Sequence, residues 1–183
     1  MNYDLLSEFL LAGVTLGITF RDLKSRPGIA LSTLIIGIAA LLGALIFAGV
    51  RQAVGPHDFV SLFAASAAFP LLSLSLYWPD GDLAKRTRAA ASFLIIASAV
   101  CLWVTTVLDF AAWTQVMPAV SGILIMINAV RCKQITAILG GLILLACFTL
   151  SLLQFNIYPL DGDQQLHILL SAALLLVTVR SKN

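Results

Sequence analysis

The chain is 183 residues long, 60% hydrophobic and 11% charged, with a mean hydropathy of +1.00; soluble globular domains carry about 25% charged residues, so composition excludes that class and points to an integral membrane protein. The net charge of +2 is dispersed in short clusters between apolar stretches, which excludes a basic face for nucleic acid. Cys101, Cys132 and Cys147 lie within or beside apolar stretches without Cys-x-x-Cys spacing, so they read as packing residues and not as a disulfide framework or thiolate metal site.

Acids follow Met1-Asn2-Tyr3, where a cleaved signal peptide carries positive charge, and the first apolar segment is therefore expected to be retained. A helix crossing the hydrocarbon needs about 20 apolar residues. Reading outward from each charged break gives seven segments: Leu5 to Phe20, Ile29 to Val50, Phe59 to Trp78, Ala89 to Leu108, Phe110 to Val130, Ile135 to Phe155 and Leu166 to Val179. The first and last are short. Both reach crossing length if the polar ends Asp4 to Glu8 and Asp163 to His167 continue the helix; a six-crossing bundle, with one of the two lying in the interface, is the alternative. The expected fold class is an all-α polytopic membrane helix bundle, a single transmembrane domain over residues 1–183.

Charge sidedness supports the alternation. Arg21, Lys24 and Arg26 fill the first loop, Lys85, Arg86 and Arg88 the third, Arg131 and Lys133 the fifth, and Arg180 and Lys182 the tail, so that Arg51 alone falls on the other side. The positive-inside rule then predicts an outside N-terminus and a cytoplasmic C-terminus. Acids oppose them: Asp4, Glu8, Asp58, Asp109, Asp161 and Asp163 fall outside, and Asp22, Asp80 and Asp82 inside.

Within this layout Pro27-Gly28 ends the first loop, and Trp78-Pro79-Asp80-Gly81 reads as an interfacial anchor followed by a turn. Pro70 and Pro118 fall mid-segment and are expected to kink the third and fifth helices. Gly13 and Gly17, and Ala40, Ala44 and Ala48, carry the small-residue spacing of close helix approach, within one chain or between chains.

The polar run from Asn156 to His167 stands out at the entry to the last segment. Asp161 is placed to cap that helix with Gln164 reaching back, and Asp163, His167 and Ser171 then recur on one helix face. On the first helix Asp4, Glu8, Thr15 and Thr19 form a second polar stripe. Ionisable groups in a membrane face a bundle interior or a wet cavity, so the two stripes predict a shared pocket built from Asp4, Glu8, Asp161, Asp163, His167 and Ser171. His57 reads as a solvated loop residue, and Asp109 and Trp113 as interfacial. With His167 and Asp163 as ligands the run also suggests a zinc site, since zinc takes imidazole and carboxylate.

Seven segments, an acid opening the first helix, the second-helix stretch Gly43-Ala44-Leu45-Ile46-Phe47-Ala48-Gly49 and a polar run with His167 opening the last resemble the ceramidase-like superfamily of alkaline ceramidases, adiponectin-type receptors and small bacterial membrane proteins. The resemblance covers most of the chain as topology and a few residues as motif. It implies a multi-pass protein of the cell inner membrane with a zinc held by a second-helix histidine and a His-x-x-x-His pair on the last helix. Here the second-helix stretch holds no histidine, and Asp163 stands four before His167. This implies a repurposed member and no active amidase. A retinal protein is excluded because Lys182 lies beyond the last helix, and a continuous polar path because the ionisable groups gather near one face.

The reading that follows is a non-catalytic membrane protein with an outward-facing polar pocket, acting as a ligand-binding, sensory or accessory subunit in the lipid bilayer. A metal-dependent hydrolase of a lipid amide or ester, and a structural subunit buried against a membrane-protein partner or a second copy, are the alternatives.

Overall fold

The computed structural model describes residues 3–110, 112–153, 155 and 160–179; Asn156, Pro159, Arg180 and Lys182 lie outside them. The described residues hold α1 (Tyr3–Asp22), α2 (Pro27–Phe47), α3 (Arg51–Tyr77), α4 (Thr87–Thr106), α5 (Trp113–Arg131), α6 (Ile135–Leu152) and α7 (Gly162–Thr178), with a one-turn helix at Asp82–Lys85 and no strand. The helices α1 to α5 are long and apolar enough to cross a membrane, whereas α6 and α7 are shorter.

The polar ends of the first and last helices continue the helix, the condition for crossing length, whereas three other ends depart from the sequence expectation. α1 starts at Tyr3 and α7 at Gly162, so Asp4, Glu8, Asp163 and His167 are helical. α3 starts eight residues before Phe59, at Arg51, because Pro56 sits within its opening turns, where a missing N–H costs little. α6 stops at Leu152, before Phe155, and α5 starts at Trp113, after the left-handed Asp109 at φ 50°. Pro70 does not break α3. The turn Ala64–Ala68 just ahead of it widens to π-helical geometry, which absorbs the missing donor and the ring.

α1 packs between α2 and α7, α7 against α6, α6 against α5, α5 against the second half of α3, and α3 against α2, which closes a ring. α4 stands outside it against α2 and α3, and Ile95, Ile96 and Trp103 on its outer face are exposed. Exposed apolar side chains such as Leu6, Phe9, Leu10 and Phe20 on α1 face outward as well, as expected where the surrounding solvent is hydrocarbon.

Close approach is made by glycines other than the expected pair. A Cβ built on Gly13 or Gly17 meets nothing within 4 Å, so both open outward and no helix of this chain packs on them. On α2, Gly37 lies against Thr15 and Leu16, and Gly28 lies against Leu83 and Ser75. Thr15 and Thr19 accordingly pack against α2 and do not extend a pocket stripe: Thr19 Oγ1 sits 2.9 Å from Thr33 Oγ1, and Thr15 Oγ1 donates to Leu11 O at 2.7 Å.

At the other end from Asp4 the first loop locks onto α7. Asp22 is buried at 1% exposure and both its oxygens are taken. Arg21 Nη2 donates to Oδ2 at 2.7 Å, and Arg26 Nη2 and Nε donate to Oδ1 at 2.8 and 3.0 Å. Each guanidinium also donates from Nη2 to Thr178 O at 3.0 Å, satisfying a carbonyl that the end of α7 leaves free. The remaining described cations, Arg51 excepted, lie at this same end, where Lys85 holds the Asp80 carboxyl below its usual range by a hydrogen bond on an exposed surface.

Removing one member of a buried charge cluster strands the others. Asp22→Ala is therefore expected to cost about 3 kcal/mol, the lower end of the usual range because Arg21 is partly exposed. The check is the thermal midpoint of the detergent-solubilised protein; an unchanged midpoint would mean that this cluster does not hold α1 to α7.

Candidate functional site

Asp161 caps α7, its Oδ1 accepting from Gln164 N at 3.0 Å. Gln164 Nε2 donates to Asp161 Oδ2 at 2.9 Å and to Asp4 Oδ1 at 2.8 Å. The expected capping box thus closes through the Asp161 carboxylate, and the same amide ties the start of α7 to the start of α1. One turn further along, Ser7 Oγ donates to Asp4 O at 2.9 Å and lies 3.4 Å from His167 Nδ1, while His167 Nε2 lies 3.8 Å from Glu8 Oε1.

Glu8 is the deepest of these groups, at 2% exposure, and its Oε2 has no hydrogen-bond partner among the described residues. Its carboxyl fills the notch over Gly43 on α2, where a Cβ would overlap Oε1. A side chain at position 43 would displace the Glu8 carboxyl from this place.

Glu8, Gly43 and His167 line a cavity of about 490 Å³ at the Asp4 end of the ring. Its walls are mostly hydrocarbon, with Ile36 and Ala40 of α2, Phe69 of α3, Pro118 of α5, Phe148 of α6 and Leu170 of α7. Glu8, His57, Ser61, Asp163 and His167 supply polar groups, joined by Thr114 and Gln115 of α5 and Thr149 and Ser151 of α6. Pockets of about 300–1,000 Å³ with apolar walls and a few convergent polar groups are the usual form of a small-molecule site.

Of the residues expected at a shared pocket, Asp4, Glu8, Asp161 and His167 come together across the α1–α7 seam, and Glu8, Asp163 and His167 line the cavity. Ser171 does not line it. Its hydroxyl donates to His167 O at 2.7 Å and is buried against its own helix. His57 corrects the sequence reading, for it is half-buried inside α3, with Nδ1 3.0 Å from Ala39 O and Nε2 3.4 Å from Ser61 Oγ. The sequence signal was the His57–Ser61 spacing of four, which becomes one helix face once α3 starts before Phe59.

Comparison with protein-family models, with curated proteins and with solved structures gives no match for this chain. The site must therefore be read from its own donors. A catalytic zinc takes three protein ligands. Among the described residues no three His, Cys, Asp or Glu side chains converge in that way.

Because Glu8 needs the notch at position 43, Gly43→Ala is expected to push the carboxyl out and lower stability by about 1–3 kcal/mol. Combined with Glu8→Ala, which empties the space, most of that loss should return. Thermal midpoints of the two single variants and the double variant measure the coupling, and strictly additive losses would show that the two positions do not share the notch.

Proposed function

We propose that this chain is a non-catalytic, multi-pass membrane protein that binds a small ligand in the Glu8 cavity, as a sensory or accessory subunit. The observation that carries this is the cavity itself, apolar in its walls and edged by a buried carboxylate with a bare oxygen. Buried polar atoms in folded proteins are nearly always partnered, and an exception in a cavity wall is where a ligand group is expected.

In this reading all the helices from α1 to α7 except the one-turn piece cross the bilayer, giving seven crossings. The N-terminus and the cavity face outside and the C-terminus the cytoplasm, in a cell inner membrane. Support comes from the loop cations, which gather at the Asp22 end, and from the short helices α6 and α7, whose polar ends lie at the cavity rim. Kinship with the ceramidase-like superfamily belongs to the same proposal. It rests on the helix order and on an acid, Glu8, facing a histidine, His167, between the first and last helices.

Two imidazoles, His57 and His167, in one cavity wall favour a second reading, a metal-dependent hydrolase of a lipid amide or ester. Metal analysis of the purified protein separates the two. Absence of stoichiometric metal supports the binding protein, and zinc that is lost in His167→Ala would replace it with the enzyme.

Sidedness is tested with a membrane-impermeant thiol reagent on intact cells. Asp161→Cys and Ser61→Cys are expected to react from outside, and Lys85→Cys only after permeabilisation. Reaction of Lys85→Cys and Asp161→Cys from the same side would break the alternating layout, and an inert Ser61→Cys beside a reactive Asp161→Cys would mean that the cavity does not open outward.

A further inference from the structure

We infer that the cavity takes an amphiphile with a protonated amine head, the ammonium pairing with Glu8 and a single hydrocarbon chain lying along the apolar wall. This rests on the ligand-binding reading and names the ligand's chemistry.

The head follows from the charges that meet it. Glu8 and Asp163 both line the cavity, and among the described residues no Lys or Arg does; Arg51, the one described cation at this end of the bundle, is not in the wall. The two other titratable lining groups are His57, held by Ala39 O and near Ser61, and His167, facing Ser7 and Glu8. An anionic head would bring its charge against two carboxylates with no fixed cation to receive it, and like charges at short range repel. A neutral hydroxyl would satisfy Glu8 Oε2 as a donor but would bring no opposite charge to the two carboxyl groups in the wall, Glu8 and Asp163. An ammonium does both. It supplies N–H donors to the bare oxygen and places opposite charge where screening by water is weakest.

Approach favours the same head. Asp161 and Asp163 are exposed at the rim and Asp4 is half-buried beside them. A ring of acids around an opening raises the local concentration of cations. The tail follows from the rest of the wall, where Ile36, Ala40, Phe69, Phe148 and Leu170 present hydrocarbon beyond the carboxylate. A small water-soluble amine would leave that surface wet.

The test is saturable binding of octylamine, octanol, octanoate and butylamine to the full chain in nanodiscs, measured by calorimetry against empty nanodiscs. Octylamine is expected to bind at least tenfold tighter than octanol and tighter still than octanoate, and butylamine to lose most of the affinity. In Glu8→Gln the preference for octylamine over octanol should vanish while octanol binding stays, which also reports that the variant is folded. Octanoate binding as tightly as octylamine, or an amine preference unchanged in Glu8→Gln, would overturn the assignment of the head and leave the binding reading standing. Butylamine binding as tightly as octylamine would overturn the amphiphile. No saturable binding of any probe would remove this inference and the binding reading with it. The comparison of heads on the unaltered protein decides the question even if the variant fails to fold.

Discussion

The buried ion cluster around Asp22 is the constraint on which the rest of the bundle depends. Its two oxygens engage Arg21 and Arg26, and both guanidiniums then reach the last carbonyl of α7. One carboxylate thereby fixes the end of α1, the start of α2 and the end of α7 together. A helix of 20 residues spans about 30 Å, so holding the seam at one end and tying it with Asp4–Gln164 at the other leaves little freedom between. Glu8 and His167 are brought within 3.8 Å of each other by that framing.

The two ends of α1 treat a buried carboxylate in opposite ways. Asp22 is saturated by charge and hydrogen bonds, and its chemistry is used up in holding the fold. Glu8 is buried as deeply, yet one oxygen faces an imidazole and the other has no hydrogen-bond partner among the described residues. An orphaned acceptor costs stability, and a structure that keeps one in a cavity wall has left room for something that is not part of the chain.

Much of this was legible in the sequence because membrane architecture is written in long, coarse signals. Apolar length and the spacing of Arg and Lys clusters locate the helices to within a few residues, the start of α3 excepted, and an Asp followed by Gln at the right offset marks the cap at Asp161. Asp4, Glu8 and His167 were found because ionisable groups are conspicuous in a hydrocarbon background. What was not legible depends on phase and depth. His57 was misread because the apolar run begins only at Phe59, although the helix starts before it. Gly13 and Gly17 carry the spacing of a packing motif but sit on the outward face of α1, while Gly43, without such a partner, makes the contact that matters to the site. Spacing tells which residues share a face and is silent on where the face looks. Asp22 resembled an ordinary loop acid, since nothing in a linear chain reveals that Thr178 ends beside it.

The widened turn at Ala64–Ala68 also sets the phase of everything before it in α3. Such a turn holds one residue more than a regular α-helical path, and each residue advances a helix by about 100°. His57 and Ser61 lie on one side of it and Phe69 on the other, yet all look into the same space. Straightening the alanine run by a single-residue deletion would rotate the imidazole and hydroxyl away while leaving the rest of the wall in place. A chain built on this scaffold therefore has a way to exchange the polar lining of its chamber through a change of helical register, with His57 and Ser61 themselves unreplaced.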